Sequence, residues 1–187
     1  MAAVVALVTE RGTADLPVSD IAEAADVSRR LVYQQFGDRD KLLLEAALDL
    51  VRRELLPRVT EAPLPDVKDD RMLAIAEHMA ARRPFYRALL TSPCAFALTK
   101  ALNSLFLPLN REGVCRLYGE RLDASTIDDL AAFMTGGWGD FVCTWVVEGS
   151  EPLDPEVFTS RLLRIGAALL PQGSSPSPNR KETADDD

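Results

Sequence analysis

VSDIAEAADVSRRLVYQQFGDRDKL, residues 18–42, holds two short helical patterns, a tight turn between them and the opening of a third helix. Ile21, Ala22 and Ala25 recur on one face of a helix spanning Val18–Ala25, and Pro17 suits its start because a missing N–H there costs nothing. Asp26 and Val27 form the turn. Asp tolerates left-handed backbone better than most residues. Ser28 is an N-cap residue for a helix over Arg29–Phe36. Gly37 stops that helix, and Asp38 caps the next one, which begins at Arg39. Ile21, Ala22, Ala25, Val27, Val32 and Phe36 make an inner face. Arg29, Arg30, Tyr33, Gln34 and Gln35 make an outer one. Two helices joined by a turn, the second polar and basic outside, form the pattern of a helix-turn-helix DNA reader. Arg grips guanine O6 and N7 with two hydrogen bonds, and Gln does the same for adenine N6 and N7. Tyr33 carries a hydroxyl suited to phosphate. Ser28, Arg39 and Lys41 stand near helix starts, where backbone N–H groups also favour an anion.

Outward from this stretch every segment reads as helix. Ala2–Arg11 ends at Gly12. The helix from Arg39 runs to about Val59 on a stripe of Leu42, Leu43, Ala46, Leu50 and Leu55, and Pro57 is expected to kink or end it. After a break at Ala62–Pro65, helices are expected over Asp69–Arg82 and Phe85–Leu90. Two more, Ala95–Leu107 and Asn110–Tyr118, are separated at Pro108. A cap at Asp123–Thr126 precedes a long apolar helix, Ile127–Glu148, and Pro155–Leu170 is a final amphipathic one. The tail is rich in Ser, Pro and Asp and reads as disordered. The expected architecture is all-α. A three-helix DNA-binding head occupies residues 1–48, a helical ligand-binding and dimerisation body residues 49–171, and the tail residues 172–187.

Composition agrees. Of 187 residues 47% are apolar and only 6% aromatic, with Ala and Leu dominant, which favours helix over sheet. The net charge of −8 has the wrong sign for a nucleic-acid binder, and acidic residues outnumber basic ones across residues 1–56, so a basic surface must be local. Cys94, Cys115 and Cys143 are odd in number and far apart, which suggests neither a disulfide framework nor a zinc site and points to a reducing, cytoplasmic setting. The first residues lack the length of a membrane span and the charged flank of a signal peptide. One histidine, His78, admits neither a multi-histidine metal site nor a Ser/Cys–His–Asp set. There is no GxGxxG, P-loop, GxSxG or HExxH, so no enzyme, metal or cofactor is expected.

Ile21-Ala22, Ala25-Asp26-Val27-Ser28, Val32-Tyr33, Phe36 and Leu42 resemble the TetR family of bacterial transcriptional regulators. The resemblance covers roughly Val4–Leu48; beyond it only helix order and length match. It implies a homodimer that binds double-stranded operator DNA through three N-terminal helices and responds to a small-molecule effector, with no membrane partner. By position it implies base contacts from Ser19 and Arg29 and further groove contacts from Arg30, Gln34 and Gln35. Phosphate contacts fall to Tyr33 and Arg39, the latter where the family usually has lysine. Pro17 departs from the usual Thr or Ser, Asp26 from a common Gly, and Val32 from leucine. Arg30-Leu31 replaces a small pair and should alter base preference. The first helix is about a turn short and lacks a basic arm, so the chain reads as shortened at its start.

The resemblance also implies that Ile127–Glu148 and Val157–Leu170 form the dimer interface. Leu130, Phe141 and Trp145 would come from the first, and Phe158, Leu162, Ile165 and Leu169 from the second. Residues available to line an effector cavity are Met72, His78, Met79, Phe85, Tyr86 and Leu89, with Phe96, Leu102, Phe106, Tyr118, Met134 and Trp138 further on. Their character favours a small apolar or aromatic ligand, although Met and aromatic residues are also ordinary core fillers. A repressor on a palindromic operator is the reading this supports. The alternative is a helical small-molecule-binding protein whose DNA head does not function.

Overall fold

The computed structural model describes residues 1–60, 67–119 and 121–169. The break expected at Ala62–Pro65 and the tail at 172–187 lie outside the described residues. Among the described residues there is no strand. The helices are α1 (Ala2–Arg11), α2 (Val18–Ala24), α3 (Arg29–Phe36), α4 (Arg39–Leu50), α5 (Leu56–Thr60), α6 (Val67–Ala81), α7 (Arg83–Leu90), α8 (Ala95–Tyr118), α9 (Ala124–Glu148) and α10 (Pro155–Leu169).

Local sequence explains most boundaries. Gly12 takes φ 63° and donates its N–H to Val8 O, closing α1. Ser28, Asp38 and Asp123 each accept a backbone N–H with a side-chain oxygen, from Leu31, Lys41 and Thr126 respectively, and so open α3, α4 and α9. Pro17 sits one residue outside α2, as its cap, with extended backbone.

Two expected prolines behave differently. Pro57 does not end its helix. The chain from α4 passes into a π-helical turn, Val51–Leu55, and on through α5. Widening the ring just upstream accommodates a residue that lacks an N–H and whose ring crowds the carbonyl four residues back. Pro108 lies inside one continuous helix, α8, and does not divide two. An interior proline costs about 3 kcal/mol, but α8 packs along α9 for much of its length. The Asn110 amide two residues on donates to Thr135 Oγ1 at 2.8 Å. Long tertiary contact outweighs the local break.

Val4, Val5 and Val8 of α1, Ile21 and Ala22 of α2, Val32 of α3 and Leu42, Leu43 and Ala46 of α4 are all buried, and they join one core with the body. α7 is its centre, packing on α1, α6, α8 and α9, with Phe85, Tyr86 and Leu89 fully buried. Burying each such side chain contributes about 1.5–3 kcal/mol. A smaller cluster of Val114, Ile127 and Ala131 joins the end of α8 to the start of α9.

Arg83 is a buried cation that periodicity did not foreshadow. Its Nε donates to Val146 O at 3.0 Å and its Nη2 to Gly149 O at 2.5 Å, while Nη1 lies 3.8 Å from Glu151. The guanidinium thus satisfies carbonyls at the C-terminal end of α9, where the helix dipole favours positive charge. α9 itself is long and apolar enough to cross a membrane by length and composition, yet most of its apolar window is uncovered in the single chain.

Candidate nucleic-acid interface

The α2–α3 unit is set by backbone geometry at one residue. Asp26 adopts φ 52°, the left-handed conformation expected of it, between the end of α2 and the start of α3. The turn is tied down by Ala25 N–H donating to Ile21 O at 3.0 Å and Val27 N–H donating to Ala22 O at 2.9 Å. Val32, 5% exposed, anchors α3 to the core, and Phe36 is half-buried beside it.

With Val32 inward, Arg29, Arg30, Tyr33, Gln34 and Gln35 are all exposed on α3. The expected inner face needs correction at two residues. Ala25 and Val27 are exposed, because α2 ends at Ala24 and the left-handed turn carries the chain away from the core. Leu31, expected with Arg30 to alter base preference, is 46% exposed among the polar residues of α3. An apolar side chain on such a face is chemically suited to a thymine methyl group. Ser28 uses its Oγ to accept from Leu31 N–H at 3.2 Å, and Ser19 Oγ donates to Asp20 at 3.0 Å.

The cations at the start of α4 are engaged within the chain. Arg39 Nη1 donates to Asp15 at 2.6 Å and its Nε to Asp40 at 3.2 Å. The hydrogen bond Arg39 donates to Asp15, then the one it donates to Asp40, raises the Arg39 pKa above its ordinary value. Lys41 Nζ lies 3.3 Å from Asp38. Asp38 is held below the usual carboxylate range, chiefly by the Lys41 backbone N–H. Among the described residues Arg29 and Arg30 form no ion pair.

The residues expected around an effector cavity divide between the main core, the α8–α9 cluster and the surface. Phe85, Tyr86 and Leu89 are fully buried, and Met79 and Leu102 nearly so, as packing of the main core. His78 is buried too, with Nε2 2.8 Å from Tyr86 Oη. Met72, Phe106 and Trp138 lie half-buried against that core, whereas Tyr118 and Met134 belong to the separate α8–α9 cluster. Phe96 is 81% exposed on the outside, because it falls on the face of α8 turned away from Leu98 and Leu102. Two concavities among the described residues are lined by none of these except Phe96. One of about 300 Å³ sits between head and body, lined by residues including Asp15, Arg39, Ser92 and Cys94. The other, a groove of about 330 Å³ between α8 and α9, is lined by residues including Phe96, Lys100, Asn103 and Ala132.

The expected interface residues also divide. Phe158 and Leu162 are 3% and 2% exposed within the single chain, so they have no surface left for a second one. They belong to the main core, and α10 itself packs against α6. Trp145 stacks on Phe158 with ring centroids 4.1 Å apart. Leu130 and Ile165 are half-buried and Phe141 is exposed, with the Arg161 guanidinium 5.4 Å from its ring centre. Leu169 is the last residue of α10. The most exposed large apolar residue on α9 is Phe133, at 75%, which is not among the expected interface residues. Near it, Gly136 and Gly137 have open space where a Cβ would stand.

Residues 1–46 match the family model described as bacterial regulatory proteins, tetR family. No curated protein matches. Among solved structures, the chain is similar to the TetR family repressor AlkX from Dietzia sp. strain DQ12-45-1b, implicated in biodegradation of n-alkanes. The two share 22% sequence identity and a TM-score of 0.51 over 90% of this chain and 94% of that one, a likeness of fold.

Proposed function

We propose that the chain, whose residues 1–46 match the tetR family of bacterial regulatory proteins, is a DNA-binding regulator of that family and acts as a homodimeric repressor on a palindromic operator, released by a small apolar or aromatic effector. One observation carries the reading: α3 is pinned by Val32 and presents Arg29, Arg30, Tyr33, Gln34 and Gln35 outward. In this reading Arg29 and Arg30 take guanine edges and Gln34 and Gln35 take adenine. Leu31 meets a thymine methyl, Ser19 adds a base contact, and Tyr33, Ser28, Arg39 and Lys41 hold the backbone.

Dimerisation is supported by α9. It carries the exposed Phe133 and Phe141, aromatic anchors of the kind interfaces use, and the open Gly136-Gly137 pair, which leaves room for a second helix to approach. Two heads related by a two-fold axis read two half-sites about one DNA turn apart. The head, through residue 48, and the body, from residue 49, share the helix that begins with α4, and α1 also rests on α7. An effector that shifts α7 or α4 therefore changes the spacing of the heads and lowers DNA affinity from a distance. Half-buried Met72, Phe106 and Trp138 suit an apolar ligand because they can part without breaking the fully buried core.

The test is binding to a short duplex carrying the palindrome nearest the gene, across a salt series. Salt-weakened binding of one dimer per site, tighter than to unrelated DNA, is the expected result. Equal binding to both duplexes would instead favour a ligand-binding protein with an idle head.

A further inference from the structure

The ion pairs at the start of α4 are unequal in what they do for the fold. Asp38 caps α4, accepting from Lys41 N–H at 2.8 Å. Asp40 stands in the first turn of the same helix, where the dipole favours negative charge. Asp15 does neither. It lies on the connector between α1 and α2, its side chain is 89% exposed, and its carboxylate has one partner among the described residues, Arg39. A single guanidinium therefore faces two carboxylates, Asp15 at 2.6 Å and Asp40 at 3.2 Å, and the cluster carries net negative charge. A lone carboxylate would orient Arg39 and leave the pair neutral. Two oppose the approach of a phosphate.

We propose that Asp15 is an internal phosphate mimic, an autoinhibitory carboxylate that occupies Arg39 and keeps it from the DNA backbone until the duplex displaces it. The proposal rests on the DNA-binding reading above. Its consequence is a division of labour within the head. The α3 arginines, which make no ion pair among the described residues, are ready for bases, while the backbone anchor at α4 is held in check. Sequence-independent affinity is reduced, and more of the discrimination falls to α3.

The experiment uses the full chain and a labelled duplex of mixed sequence, about three helical turns long, titrated by fluorescence anisotropy over a series of NaCl concentrations. Asp15→Asn is compared with the parent, with Arg39→Gln and with the double variant. Asp15 is exposed and caps nothing, so the first variant keeps the fold, which circular dichroism checks. Asp15→Asn is expected to bind about two- to fivefold tighter at low salt, the scale of an exposed ion pair. Its log–log salt slope is expected to steepen by about 0.9, the signature of one added phosphate contact. In the Arg39→Gln background the same change gives no steepening. Binding by Asp15→Asn alone, with none by the parent, also supports the mimic. Equal slopes for parent and Asp15→Asn overturn it while leaving DNA binding intact, as does a gain that persists without Arg39. Absence of binding by every variant overturns both readings.

Discussion

His78 provides a sharp test of the body's interior because it is the only histidine in the chain. It lies on α6, 4% exposed, with Nε2 2.8 Å from the hydroxyl of the fully buried Tyr86. Its Nδ1 is 3.7 Å from Glu54, a distance that by itself suggests a charged imidazole. Glu54, however, is already held by Arg82 through two hydrogen bonds, at 3.1 and 2.8 Å, so little of its field is left over. Burial dominates and lowers the His78 pKa from 6.5 to about 4. Glu54 opposes this shift; Arg82 and Arg58 reinforce it. The folded protein thus holds a neutral imidazole, whereas the unfolded chain takes up a proton near pH 6.5. Stability from this group is complete above that pH and is lost as pH falls toward 4. The difference corresponds to about 1 kcal/mol at pH 5.5 and about 3 kcal/mol near pH 4, or about 6–12 °C in Tm for a chain of this size. Urea unfolding at fixed protein concentration at pH 7.5, 5.5 and 4.5 measures the loss. The one imidazole signal, followed by NMR, reports the titration directly. His78→Gln retains a partner for the Tyr86 hydroxyl but does not titrate, and is expected to flatten most of this slope. A folded imidazole that titrates at or above pH 6.5, with stability rising as pH falls from 8 to 6, would show that the Glu54 contact wins and that the burial argument is wrong.

Arg83→Met should cost about 2–4 kcal/mol, because it strands the carbonyls of Val146 and Gly149 that the guanidinium satisfies; a loss below about 0.5 kcal/mol in thermal unfolding would remove Arg83 as the anchor of α9. Phe133→Asp is expected to yield a folded monomer by sedimentation, since that ring is exposed in the single chain, and an intact dimer would move the interface elsewhere. Trp145→Ala should instead lower the stability of each subunit by about 2–4 kcal/mol, through loss of its stack on Phe158; unchanged unfolding with a broken dimer would contradict this. On DNA, Arg29→Ala should weaken binding by about 1–3 kcal/mol and relax preference at one position, whereas Tyr33→Phe should weaken all sequences alike. Equal affinity of both variants and the parent for the operator would mean that α3 is not the reading element.

The head was legible because its signals are local. Ser28, Asp38, Asp26 and Gly12 specify caps and turns through the backbone within a few residues of themselves, and the spacing of Ile21, Ala22 and Val32 sets which side of two short helices is buried. Fold class and the polar face of α3 follow from such near-neighbour chemistry. The body was less legible because an apolar residue does not say what it is buried against. Phe158 and Leu162 read as well for a subunit interface as for the place in the main core that they take, and Phe96 reads like Phe85 although one is outside and the other at the centre. Pro108 shows the same limit: its cost is local, but the packing along α9 that offsets it comes from residues far along the chain. Charge behaves likewise. Arg39 was legible as a cation at a helix start, but its pairing with Asp15, 24 positions away, exists only once the connector folds back over α4. Periodicity and capping act through the backbone and so can be read from the sequence, whereas partner choice in a close-packed interior depends on the shape of the whole chain.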